Sequence, residues 1–247
     1  MDISSYVLLS QEQALKRRLD VVSNNMANSS TAGFRSEQPV FHEQVENTRE
    51  ASVDDARPIS FVLDYRPVHD TAHGAYEPTG NPLDAMIDGP GYFAVEAPGG
   101  GTAYTRAGYV KVSDSGDLVT AGGQRLLDES GSPINVPTDQ AGQIAMGADG
   151  TISVPTGPLG RLAVTVFDDE TGVTPRGDGL MSGQNGRVLQ ASETKLRTGG
   201  VEGSNVSAIG ETTAMIDILR SYQNSIRMSE SMNDLRKTAI GRLSRLS

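Results

Sequence analysis

The sequence contains no cysteine and no tryptophan, aromatic residues make up 5% of it, and there are three histidines. Without cysteine there is no disulfide framework and no thiolate chemistry, although either a reducing or an oxidising compartment remains possible. With so few rings, any core must be built mainly from Val, Leu, Ile, Met and Ala. No apolar run approaches the roughly 18 residues of a membrane span. The opening MDISSYVLLSQEQ has no basic n-region, no signal-length apolar run and no small-residue cleavage site. The expectation is therefore that any export uses a route other than a Sec-type signal. There is no fixed-period repeat, which removes solenoids and propellers.

Basic charge is also scarce. The net charge is −10 over 247 residues, which argues against a nucleic-acid partner, since phosphates call for a Lys/Arg-rich face. The acidity is not spread evenly. Residues 1–35 carry four Lys/Arg against three Asp/Glu and residues 211–247 six against four, leaving 11 against 24 in the middle. An acidic middle favours solubility, and two near-neutral ends point to a separate role for them. The length suits about two domain-sized units.

What is present at the ends is helical periodicity. Leu8, Leu15, Leu19, Val22 and Met26 share one helix face, with Glu12, Lys16, Arg17 and Asp20 elsewhere. The helix is predicted to stop within Ser23–Gly33, because Asn24, Asn25, Asn28 and the serines compete for backbone hydrogen bonds and Gly33 tolerates positive φ. Phe34 then anchors the next segment of chain. Near the other end, Met215, Ile218, Leu219, Tyr222 and Ile226 form a stripe continued by Met228, Met232, Leu235, Ala239, Leu243 and Leu246. No proline falls between Ala208 and Ser247, so a second long helix is predicted.

Between these ends, residues 36–75 read as an extended connecting hairpin or arm broken by Pro39, Pro58 and Pro67. From Tyr76 to about residue 200, short apolar runs such as Tyr92–Val95 and Leu162–Phe167 alternate with turn signals at Asp88-Gly89, Ser115-Gly116-Asp117, Asp149-Gly150 and Asn185-Gly186. The predicted class is α+β: N- and C-terminal helices pairing as a coiled-coil-like stem, with a mainly antiparallel all-β middle domain. The expected divisions are 1–35, 36–75, 76–200 and 201–247. An isolated amphipathic helix is marginal in water, so each stripe needs a partner, and the other stripe is the nearest. Apolar surface left over after that pairing is expected to be covered by neighbouring subunits.

Residues with chemical potential have simpler readings. His42, His69 and His73 do not share a helix face, because Pro67 and Gly74 flank the latter two. Asp168-Asp169-Glu170 before Thr171-Gly172 reads as a solvated turn, not a paired-carboxylate site. Ser113–Asp117 lacks the twelve-residue Ca²⁺ loop pattern and reads as a hairpin turn. Gly99-Gly100-Gly101 lacks the Lys and the following helix of a phosphate loop. Arg176-Gly177-Asp178 is too short to carry function. No catalytic, cofactor-binding or metal residue is assigned.

The stretch Leu19–Arg35 (LDVVSNNMANSSTAGFR) resembles the N-terminal signature of flagellar rod and hook proteins. Leu83–Val95 (LDAMIDGPGYFAV), Tyr104–Leu127, Asp149–Ile152 and Glu202–Val206 (EGSNV) extend the resemblance. Ser29-Ser30 departs from the commoner Val-Asn pair. The length, the β middle and Met215–Gln223 look most like the proximal rod subtype, with the distal rod as near alternative; hook proteins usually carry a larger insertion. The resemblance implies a structural, non-catalytic subunit of the basal-body rod, exported unfolded by the flagellar type III apparatus and assembled in the periplasm to transmit torque. Its partners would be other rod subunits, copies of itself and the export apparatus, with no nucleic acid, cofactor or small-molecule ligand. The implied assembly interface is Leu8, Leu15, Leu19, Val22, Met26, Met215, Leu219, Tyr222, Ile226, Met232 and Leu235, and the motif turn is Asn24, Asn25, Asn28, Gly33 and Phe34. A reading of another class is a secreted glycan-binding or peptidoglycan-acting β-domain protein with a helical stalk.

Overall fold

The computed structural model describes residues 3–47, 58–64, 68–169, 172–176 and 179–243. Helix α1 spans Ile3–Ala27 and helix α2 spans Ala208–Leu243. The end of α1 follows from its asparagines: Asn28 donates its backbone N–H (3.1 Å) and its side-chain amide (2.9 Å) to the carbonyl of Asn24, closing the last turn. At the start of α2 the Ser207 hydroxyl accepts the Gly210 N–H at 3.3 Å, an N-cap, and Glu211 places an acid in the first turn. Neither helix is long and apolar enough to cross a membrane.

The chain forms two compact units. The helical unit gathers residues 1–28, 36–70 and 206–247, and the β unit gathers 29–35 and 71–205. In the helical unit, the region read from sequence as a connecting hairpin or arm holds two antiparallel ladders. Glu37–Gln38 pairs with Val68–His69, and Phe41–Asn47 pairs with Pro58–Asp64, whose backbone runs beside α1.

The β unit is antiparallel throughout its described ladders. A six-stranded sheet runs in the order Thr174–Pro175, Met181–Ser182, Thr102–Thr105, Tyr92–Glu96, Val164–Val166, Arg187–Val188. Its central strand is covered on both faces, as period-two geometry allows. Phe93 and Val95 enter a large aliphatic core with Leu118, Leu126, Ile152 and Leu162, while Tyr92 packs on the opposite side with Phe167 and Val173. The Tyr104 and Phe167 rings meet edge to face at 4.9 Å. Around the sheet lie a three-stranded meander, Ala145–Met146, Thr151–Val154 and Gly157–Arg161, and the pairs Val110–Val112 with Leu118–Thr120, Ala85–Ile87 with Leu196–Thr198, and Tyr76–Pro78 with Gly200–Glu202.

Acidic side chains fix the turns. Ser113–Asp117 closes the hairpin between Val110–Val112 and Leu118–Thr120, with the Ser113 N–H donated to the Asp117 carbonyl at 2.8 Å. The Asn135 side-chain amide holds the Asp117 carboxyl below its ordinary value, and the Ser115 hydroxyl adds to this. The Thr151 N–H and hydroxyl do the same for Asp149, at 3.0 and 2.8 Å. Glu170 of the acidic run and Gly177-Asp178 of the tripeptide lie outside the described residues.

Two outcomes are expected. Phe93→Ala, which empties a site 1% exposed, should cost about 3–5 kcal/mol of β-unit stability in urea titration. Because Asp117 and Asp149 are lowered on folding, their stabilisation is fully present above the ordinary value of 3.8 and is lost as pH falls through the lowered folded values. The urea midpoint should fall in that acid range, and Asp117→Asn with Asp149→Asn should flatten that part of the profile. Both residues are only half-buried and their carboxyls stay near solvent, so the change is small beside that of Phe93→Ala.

Candidate assembly interface

The two chain ends meet inside the helical unit. Leu15, Val22 and Ile218 form a buried cluster, with Leu19, Ala214, Met215 and Tyr222 packed against it. Asn25, near the end of α1, donates to the Glu211 carboxylate at the start of α2 (3.4 Å), so the helices run antiparallel. With that register, Ile3 lies opposite about residue 233, and α2 outruns α1 by about 10 residues, roughly 15 Å.

The residues assigned from sequence divide into three sets. Leu15 and Val22 are buried and Leu19, Met215 and Tyr222 half-buried in the α1/α2 seam. Leu8, Ile226 and Met232 are half-buried, whereas Met26, Leu219 and Leu235 are exposed, Leu235 at 68%. Ile209 at 83%, Ile216 and Met228 also face outward. The apolar surface of α2 is therefore wider than the strip used within the chain. Among the buried and half-buried positions of α2, Glu211, Met215, Ile218, Tyr222, Ser225, Ser229, Met232 and Arg236 recur at alternating gaps of four and three, with Ala214 and Ile226 half-buried beside them. Periodicity in apolar residues alone hid this rhythm, because its second half turns to serine and arginine. Val21, off the predicted stripe, is buried as well.

The motif turn has a more specific construction than the sequence disclosed. Asn25 is 2% exposed. Its side-chain amide imitates a β-strand neighbour: Oδ1 accepts the Glu37 N–H at 2.8 Å and Nδ2 donates to the Glu37 carbonyl at 2.9 Å. Asn24 and Asn28 close the helix end. Gly33 and Phe34 belong to the β unit, where the Gly33 N–H reaches the Glu202 carbonyl at 2.8 Å and the half-buried Phe34 accepts from Asn205 N–H at 3.3 Å. Gly33 holds φ +71, and a Cβ there would lie 2.4 Å from the Arg106 carbonyl carbon, so a side chain is excluded on both counts.

The histidines lie in different elements. His69 pairs by its backbone with Glu37 in the helical unit, and His73 belongs to the β unit, with Nδ1 at 3.6 Å from Glu202. His42 lies in the strand Phe41–Asn47. Among the described residues no group of three His, Asp or Glu side chains is placed to hold a metal ion.

Asn25→Asp keeps the acceptor but replaces the donor with a carboxylate oxygen facing Glu37 O and Glu211. We expect the helical unit to lose about 2–3 kcal/mol at neutral pH in urea titration, with Glu211→Gln restoring part of it in the double variant.

Comparison with known proteins gives concordant matches in three places. Residues 6–35 match the flagella basal body rod protein model, residues 86–154 the flagellar hook protein FlgE/F/G D1 domain, and residues 197–242 the flagellar basal body rod FlgEFG protein C-terminal model. The flagellar basal-body rod protein FlgF of Caulobacter vibrioides is 32% identical over 100% of both chains. FlgF of Mesorhizobium japonicum is 33% identical over 95% of this chain and 96% of that one, and the rod protein FlgG of Bacillus subtilis is 31% identical over 94% and 96%. A paired-helix terminus, a motif turn fixed by Asn25 and Gly33, and full-length similarity lead to one conclusion: the chain belongs to the flagellar basal-body rod protein family, structural subunits of the rod of the bacterial flagellum.

Proposed function

We propose that this protein is a proximal-rod subunit, exported by the flagellar type III apparatus, whose terminal helices form a coiled-coil-like stem completed by neighbouring subunits. Those neighbours are copies of itself and other rod proteins, and the site of assembly is the periplasm. The observation that carries the reading is the apolar surface of α2 outside the intramolecular seam: Ile209, Ile216, Leu219, Met228 and Leu235 are exposed in the single chain. Burial of an apolar side chain contributes about 1.5–3 kcal/mol, so five such residues are a large driving force for association. The alternating four-and-three spacing of these less exposed positions of α2 supports coiled-coil geometry, because that spacing averages the 3.5 residues of a heptad turn.

In this reading the protein works by packing and catalyses nothing. The terminal helices supply the stem, with the ladders of residues 36–70 gathered into the same unit, and residues 71–205 supply the outer β layer. Full-length similarity to FlgF favours the proximal over the distal position, with FlgG similarity leaving the distal rod as the near alternative.

The test separates monomer stability from assembly. Ile209→Ser and Leu235→Ser remove side chains that are exposed in the monomer, so its urea midpoint should stay within about 0.5 kcal/mol of the parent. Incorporation into basal bodies, and swimming of a strain carrying only the variant, should fall sharply. Deleting residues 1–26 should abolish incorporation while the β unit still folds. A truncated chain that enters the rod and supports motility would sink the proposal.

A further inference from the structure

Four peptide links join the two units: Asn28–Ser29, Arg35–Ser36, Asp70–Thr71 and Asn205–Val206. On the β-unit side, all four leave from just three short segments, residues 29–35, 71–75 and 202–205. These segments are far apart in sequence, yet within the β unit they are bonded around one residue, Glu202. Its backbone carbonyl accepts the Gly33 N–H at 2.8 Å. Its carboxylate accepts the Gly74 N–H at 3.1 Å through Oε1 and the Arg106 guanidinium at 3.0 Å through Oε2.

Cross-bonds among the segments tighten the arrangement. Gly203 N–H reaches the Ala75 carbonyl at 2.7 Å, Asn205 N–H the Phe34 carbonyl at 3.3 Å, and the Asn205 side chain the Ala72 carbonyl at 3.0 Å. The backbones approach so closely that a Cβ on Gly74 would lie 1.9 Å from the Gly203 carbonyl oxygen. Arg106 roots the group in the sheet: its guanidinium also donates to the carbonyls of Ile87 (3.2 Å) and Gly89 (2.7 Å). It lies 5.6 Å from the centre of the Tyr92 ring, and Arg35, at 5.5 Å from the same ring, donates to the Tyr92 hydroxyl at 3.3 Å.

Both members of the Arg106–Glu202 pair are 1% exposed. A buried ion pair contributes little net stability over an apolar pair of similar volume, because desolvation offsets the attraction; what it supplies is a single permitted geometry. Here that geometry is imposed where the chain leaves the β unit.

We propose that Glu202 is a positioning residue that clamps the three exit segments into one cooperative piece, so that they open together or not at all, independently of the core behind them. The clamp itself does not depend on the rod reading; its use does. In a subunit under torque, load carried along the chain from the helical unit enters the β unit through these four links, and a clamp keeps them from peeling away one at a time.

The test is hydrogen exchange, followed by mass spectrometry on the purified full chain, of Glu202→Gln and of Gly74→Ala. The second variant wedges Gly74 away from Gly203 while leaving both charged side chains in the sequence, so it still tests whether the segments open together if Glu202→Gln fails to fold. In each, peptides covering 29–35, 71–75 and 203–205 should exchange together about tenfold faster or more, while the amides of Leu126 and Leu127, bonded inside the core, stay within about twofold. Acceleration confined to 71–75 in Gly74→Ala, no acceleration at all, or an equal loss in core and segments would overturn the clamp. Because no rod is present in the measurement, a subunit wrongly assigned to the rod could still show the clamp, and a true rod subunit could lack it.

Discussion

An amphipathic helix with one apolar stripe cannot stand alone in water, and this chain has two such helices at its opposite ends. Their mutual burial organises the rest of the helical unit. Leu15, Val22 and Ile218 close the seam, and Asn25 fixes its end by bonding Glu37 and Glu211 at once. The strand that Glu37 begins, and its pairing with Val68–His69, then lie where Asn25 allows them. A single buried amide thus links helix end, helix partner and the first ladder, and leaving its partners unsatisfied would cost far more than its hydrogen bonds contribute when made.

The β unit solves a different problem. Lacking tryptophan and cysteine, it has neither an indole ring nor a cross-link to hold its short strands, many of only two or three residues. It relies on a continuous aliphatic core, on carboxylates that tie the turns, and on strands buried on both faces, as at Tyr92–Glu96. Aliphatic packing is tolerant of exchange among similar volumes and does not by itself select one arrangement. The buried Arg106–Glu202 pair, with Tyr92 beneath Arg106, adds that selectivity at the chain exits.

The two units also divide the apolar surface differently. In the β unit nearly all large apolar side chains of the core strands are covered within the chain. In α2 the covered strip is narrow, and Ile209, Leu219 and Leu235 remain outside it. A surface of that kind is characteristic of helices meant to have more than one neighbour.

Much of this was legible in the residues. Apolar spacing of three and four marks α1 and α2, period-two runs and Gly turns mark the β unit, and Leu19–Arg35 marks the family, because local periodicity and turn chemistry are written in neighbouring positions. The candidate interface was legible only in part. Leu15 and Leu235 look alike on a helical stripe, and only the register set by Asn25 and Glu211 buries one and exposes the other. Ser225 is buried and Ser229 half-buried on α2 without any hydrophobic signal. Nor could the sequence show that Gly33, Gly74 and Arg106 meet at Glu202. Which side chains share a face is fixed by local backbone geometry, and so by sequence; which faces meet, and which distant groups bond, is decided only when the chain closes on itself.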